Sequence, residues 1–237
     1  NILLEAKDIS LSEKAVLTAT GPTGGGNILV GGDWQGGASE DNRVFEDPNK
    51  LKQATKVTMH ANAFIDASAT ENGDGGTVVL WSDIKNPKSV TKAHGTIFAK
   101  GGSISGDGGK IETSGFKLLI SGIEVKADAT KGVSDSWLLD PYDYVIGNSQ
   151  ATTISNALLG GTDVTVSTDS SETLHGSDGI STGSGSIYVN YDINGNGSEP
   201  GNLTLTANNF IYFNADVSTT GNQSYSGRVF VKKSNLS

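Results

Sequence analysis

Two stretches of this 237-residue chain carry residue types at spacings that catalysis or metal binding would use. Gly179-Ile180-Ser181-Thr182-Gly183 has the spacing of a nucleophile elbow, in which a tight strand-to-helix turn exposes a serine to a histidine and an acid. Gly, Ser and Thr flank it and no helical pattern follows, so the stretch predicts a corner rather than a nucleophile. Asp192-Ile193-Asn194-Gly195-Asn196-Gly197 matches the first half of a calcium loop, but the twelfth position, which needs a bidentate Glu, is Leu203. The Asp-Gly-Gly corners resemble calcium-binding nonapeptide repeats without their strict period. Asn, Asp and Gly also make turns at low cost, so both readings stand. His60, His94 and His175 are the only histidines, none with a second ligand at usable spacing. No metal, cofactor or catalytic residue is predicted.

Recognition points elsewhere. Residues 33–56 are polar, charged and turn-rich between two strand signals, and predict a long loop leaving the main body. Trp34, Arg43 and Phe45 in it are types enriched in binding hot spots, and form the candidate receptor-binding loop. The alternative is that the loop packs back on the body. Asn-x-Ser/Thr sites at Asn196, Asn202, Asn222 and Asn235 are no more than chance predicts in a chain this rich in Asn, Ser and Thr.

The elements that must position these residues recur along the chain. Gly24-Gly25-Gly26 precedes Asn27-Ile28-Leu29-Val30, Gly73-Asp74-Gly75-Gly76 precedes Thr77-Val78-Val79-Leu80-Trp81, and Gly106-Asp107-Gly108-Gly109 precedes Lys110-Ile111-Glu112-Thr113. Gly183-Ser184-Gly185 and Gly201 introduce similar bursts. Three short strands separated by turns make a coil of about 20 to 30 residues, the solenoid range. With 32 glycines, no cysteine and 35% hydrophobic residues, the chain is too Gly-rich for an ordinary core, and its Val, Ile and Leu bursts argue against disorder. The corner glycines, Gly76 and Gly109 among them, are expected to supply positive φ. Trp81 and Trp137 end apolar bursts and are expected to pack in the core or at corners. Residues 151–160 show the one helical pattern, with Ile154, Ala157 and Leu158 apolar and Gly160-Gly161 at the stop. That helix is expected to cover an open flank.

A formal charge of −9 disfavours nucleic acid or an anionic membrane as partner. No apolar run approaches the roughly 20 residues that span a bilayer, so no membrane insertion is expected. The chain starts at Asn1 without Met or leader, and is expected to be a fragment of something longer.

One ordered series of elements runs Ile28-Leu29-Val30-Gly31-Gly32-Asp33-Trp34-Gln35-Gly36, Ile65-Asp66-Ala67-Ser68-Ala69, Gly73-Asp74-Gly75-Gly76 and Val79-Leu80-Trp81-Ser82-Asp83. Gly106-Asp107-Gly108-Gly109-Lys110-Ile111-Glu112-Thr113-Ser114-Gly115 and Trp137-Leu138-Leu139-Asp140-Pro141 complete it. In that order the elements resemble the filamentous-hemagglutinin-like family of two-partner-secretion exoproteins, which includes high-molecular-weight adhesins and heme–hemopexin-binding exoproteins. The resemblance implies an all-β, right-handed parallel β-helix with three short strands per coil. It also implies export through an outer-membrane β-barrel transporter, localisation outside the cell or on the bacterial surface, and binding to a host or neighbouring-cell receptor. The family's Asn-Pro-Asn-type secretion signature has no match; Asn86-Pro87-Lys88 and Pro48-Asn49 come nearest. The expected role is therefore a shaft beyond the secretion domain, not an enzyme. The alternatives are a carbohydrate-active β-helix enzyme, which needs carboxylates clustered on one face, and the stalk of a contact-dependent toxin. Arg43 and Arg228 are the only arginines and the carboxylates scatter among corners, which disfavours the enzyme.

Overall fold

The computed structural model describes residues 1–37, 43–45, 51–168, 185–198 and 201–232. The first four coils each supply three strands: β1 (Ile2–Leu4), β2 (Asp8–Leu11) and β3 (Val16–Thr18); β4 (Asn27–Val30), β5 (Lys56–Met59) and β6 (Phe64–Asp66); β7 (Thr77–Trp81), β8 (Val90–Ala93) and β9 (Thr96–Phe98); β10 (Lys110–Gly115), β11 (Lys117–Leu119) and β12 (Glu124–Lys126). The fifth has β13 (Ser136–Pro141), β14 (Tyr144–Ile146) and the helix α1 (Asn148–Leu159). Beyond it lie β15 (Asp163–Ser167), β16 (Ile187–Val189), β17 (Ile193–Gly195), β18 (Leu203–Phe213), β19 (Val217–Thr219) and β20 (Gln223–Val231).

Every strand pairing among the described residues is parallel. The first sheet runs β1-β4-β7-β10-β13-β15-β18, the second β2-β5-β8-β11 and the third β3-β6-β9-β12. The fold is a parallel β-helix.

Alternation along each strand sends one set of side chains inward, where register stacks them coil on coil. Ile28, Val78, Ile111, Trp137, Val164 and Leu203 form one fully buried column on the first sheet. Each such aliphatic burial contributes about 1.5–3 kcal/mol. The Trp137 indole N–H, sealed in this column, donates to Thr113 Oγ1 of the coil beside it at 3.0 Å. Both expected core tryptophans are buried, Trp137 inside the helix and Trp81 on the outer side of its wall.

The corners need glycine for two different reasons. Gly73 and Gly106 have φ of +95° and +122°, the left-handed side that favours glycine. Gly76 and Gly109 do not, which corrects the expectation for them. A Cβ on Gly76 would collide with the carbonyl oxygen of Gly26, and one on Gly109 with that of Gly76. Successive coils touch backbone to backbone there. The carboxylates of the same corners cap the stack, Asp74 accepting the Asp107 N–H and Asp107 the Val133 N–H, each at 2.8 Å.

Helix α1 starts three residues earlier than its apolar pattern, because Asn148, Ser149 and Gln150 carry no periodicity. It ends at Gly160 as expected. It packs between β12 and β17 and so occupies the place of a third-sheet strand. Omitting one strand leaves two coil spacings, roughly 10 Å, about the diameter of a helix. Helix hydroxyls replace part of the lost ladder: Thr153 Oγ1 accepts the Gly122 N–H at 3.2 Å and Ser155 Oγ the Asn194 N–H at 2.9 Å.

Gly109→Ala should lower stability by about 1–3 kcal/mol through backbone collision. Gly122→Ala, with φ +75° and open space around it, should cost only left-handed strain of about 1 kcal/mol. Urea midpoints compare them, and equal losses would remove the close-approach explanation.

Candidate functional site

The outward residues of β4 and β7 are not left to water. Leu29, Val79 and Trp81 form, with Ile84, a second buried cluster outside the helix wall, and Trp34, Val44 and Leu51 pack onto it. The described part of the loop therefore lies back on the shaft. The loop's expected end at Lys56 is also early shaft, since Ala54 already bridges Ser82 and Lys56 opens β5.

The local sequence dictates this return. A Cβ on Gly32 would run into the Trp81 indole, so the chain can cross that ring only as glycine. Trp34–Gly37 then turns sharply, with Gln35 at φ 49° and Gly36 at φ 67°. Gln35 is the single described non-glycine residue with positive φ. Its N–H donates to Glu112 Oε2 on β10 at 2.8 Å, which holds the strained turn. Asp33, 4% exposed, ties the start of the loop to its middle. Its carboxylate accepts the N–H groups of Trp34 at 2.7 Å, Val44 at 2.9 Å and Phe45 at 3.0 Å.

The elements named in the sequence meet here. Trp81, Ser114 and Asp140 share one register position on β7, β10 and β13, and Val79, Glu112 and Leu138 share another. The Gly31-Gly32-Asp33-Trp34-Gln35-Gly36 stretch is clamped across them. Glu112 is fully buried and also accepts the Ser114 hydroxyl at 2.7 Å. Burial raises its pKa to about 8, with the charges of Asp140 and Asp33 acting in the same direction and the Gln35 and Ser114 donors opposing them. Glu112 gives no signal in the sequence, because a polar type at an outward strand position looks like ordinary solvation.

The three candidate receptor contacts face different surroundings. Trp34 is half-buried in the outer cluster, with the Lys110 ammonium 5.9 Å from its ring centre. Arg43 is half-buried and donates from Nε to the Gly37 carbonyl at 2.9 Å. Phe45 is 38% exposed and, of the three, presents the most surface to solvent.

Other candidates resolve more plainly. Gly179-Ile180-Ser181-Thr182-Gly183, His175 and Asn235 lie outside the described residues. Asp192-Ile193-Asn194-Gly195 enters strand β17, and the Asp192 carboxylate accepts the Asp216 N–H at 3.0 Å. The His94 ring bonds through Nδ1 to the Ser121 carbonyl at 2.8 Å. No group of three or more metal-ligating side chains occurs among the described residues. Asn202 donates to both carboxylate oxygens of Asp163, at 3.1 and 2.9 Å. A feature unforeseen from sequence is an outward aromatic column, Tyr188, Tyr212 and Phe230, with ring centres 4.9 and 5.3 Å apart on β16, β18 and β20.

A raised folded-state pKa means that Glu112 folds more favourably as the acid. Its contribution is complete below about pH 4.5 and is lost as pH rises through about 8. Glu112→Gln keeps a carbonyl acceptor without the charge. It should match wild type near pH 5 and exceed it by a few kcal/mol at pH 9, read from denaturation midpoints across pH. Parallel pH profiles would contradict the assignment. Scans of protein-family models and of curated proteins return no match to this chain, so the resemblance of its elements rests on the residues alone.

Proposed function

We propose that this chain is a shaft segment of a large secreted or surface-displayed bacterial exoprotein of the filamentous-hemagglutinin-like type. It extends as a solenoid and presents its outer faces to a receptor on a host or neighbouring cell. Export would use an outer-membrane β-barrel transporter that recognises another part of the protein. The supporting observation is the convergence at the latch formed where residues 31–36 are clamped over Glu112: elements resembling the family in sequence occupy adjacent strands at shared register positions. Chance matches scattered along a chain have no reason to lock onto one another. The enzyme alternative draws less support, because the Asp33, Glu112 and Asp140 carboxylates are buried at that latch rather than lining an open cleft.

Beads coated with the chain should attach saturably to cultured epithelial or bacterial cells, and free chain should compete. Absence of attachment would count against display. Release of reducing ends from a polysaccharide panel would favour the enzyme instead.

A further inference from the structure

The helix that replaces a strand leaves the third sheet unfinished, and the unfinished edge opens into a groove. Within β12, Glu124 N–H bonds to the Gly95 carbonyl at 3.0 Å and the Lys126 carbonyl accepts the Ala99 N–H at 2.9 Å. Both face β9. A parallel ladder alternates its bonding direction, so the N–H and C=O of Val125 point the other way, toward α1. A helix has no free backbone with which to answer them. Ala127 N–H, the next group on that edge, is met by the Thr162 hydroxyl at 3.0 Å and Gly122 N–H by Thr153. Val125 has no such hydroxyl among the described residues. Its side chain is in the core, the residue is only 4% exposed, and it is among the residues that line a groove of about 540 Å³ between β12 and α1. A buried donor and acceptor without protein partners call for water or a ligand.

The geometry points to this groove as the receptor-contact site, taking a neutral saccharide ring through the Val125 backbone and the Asn156 amide. The assignment rests on the display reading and adds the place and ligand class. The volume lies in the range of small-molecule sites. Ile123 and Ala157 give an apolar wall for the face of a sugar ring, while Thr152 and Asn156 stand on the helix side of the opening. The charged pair at the rim, Lys126 and Glu124, is closed on itself at 2.8 Å, so the groove offers donors and acceptors without net charge. An extended peptide would need a ladder of successive backbone groups, and here the interruption by α1 confines the offer largely to Val125. A hydroxyl-rich ring can use one donor, one acceptor and one amide together.

The test is titration of the ¹⁵N-labelled chain with methyl glycosides of glucose, galactose, mannose and N-acetylglucosamine, following the Val125 amide and Asn156 side-chain signals. At least one glycoside should shift both signals saturably. Binding should weaken at least tenfold in Asn156→Ala and disappear in Thr152→Trp, which fills the opening from an exposed helix position. Unchanged circular dichroism and melting would show that these variants fold, and Asn156→Ala suffices if the larger residue disturbs α1. Coated-bead attachment should fall in the same variants. The site is overturned if no glycoside moves the Val125 signal, or if a blocked tetrathreonine does so and sugars do not. Full attachment by sugar-blind variants would overturn the receptor role of the groove. Glycoside shifts with no attachment by the wild-type chain would sustain the saccharide site and sink the display reading on which its receptor role rests.

Discussion

The interaction on which everything else depends is the parallel backbone ladder between successive coils, which holds neighbouring strands about 4.8 Å apart. That one spacing makes side chains of the same register position stack, so Ile28, Val78 and Ile111 meet like residues above and below rather than across a wide core. The same spacing presses corner against corner. Gly76 and Gly109 are glycine because a neighbouring carbonyl already occupies the position of a Cβ. The Asp74 and Asp107 carboxylates then hold the stack from outside by accepting backbone N–H groups of the next coil.

Departures from the ladder are constrained by it too. A helix is too wide for one coil spacing and suits two, which is why α1 displaces a whole strand instead of leaning on a finished surface. Its buried face, Ala151, Ile154, Ala157 and Leu158, continues the apolar interior. Its hydroxyls answer some of the stranded backbone groups, and Val125 is where that substitution is incomplete.

Much of this was legible in the sequence, because the recurrence of Gly-rich corners and short bursts reports the coil directly. The helix C-terminus was legible as Gly160, whereas its start was hidden by the polar Asn148, Ser149 and Gln150. What sequence could not give was any relation between residues on different coils. Gly76 looks like a turn residue because its reason lies fifty positions earlier, at Gly26. Glu112 looks solvated because the loop that covers it departs from a strand two coils away. Trp34 looks like a recognition residue because a tryptophan in a polar loop gives no sign that Trp81 and Val79 await it.

The latch itself raises a question of design. Apolar residues at the outward positions of β4 and β7 would expose a hydrophobic strip on a sheet face, a liability for association between shafts. Covering the strip removes it, but an apolar cover alone has no unique seat on a flat apolar surface. Glu112 and Asp33 supply the seat: one fixes the left-handed Gln35 turn, the other ties Trp34 to Val44 and Phe45. Burying Glu112 costs stability at neutral and alkaline pH, as its raised pKa records. A buried polar group of this kind can select one arrangement among several of similar apolar contact. By fixing where the loop crosses the shaft, the two carboxylates also fix the position of Phe45, the candidate contact with the most surface open to solvent.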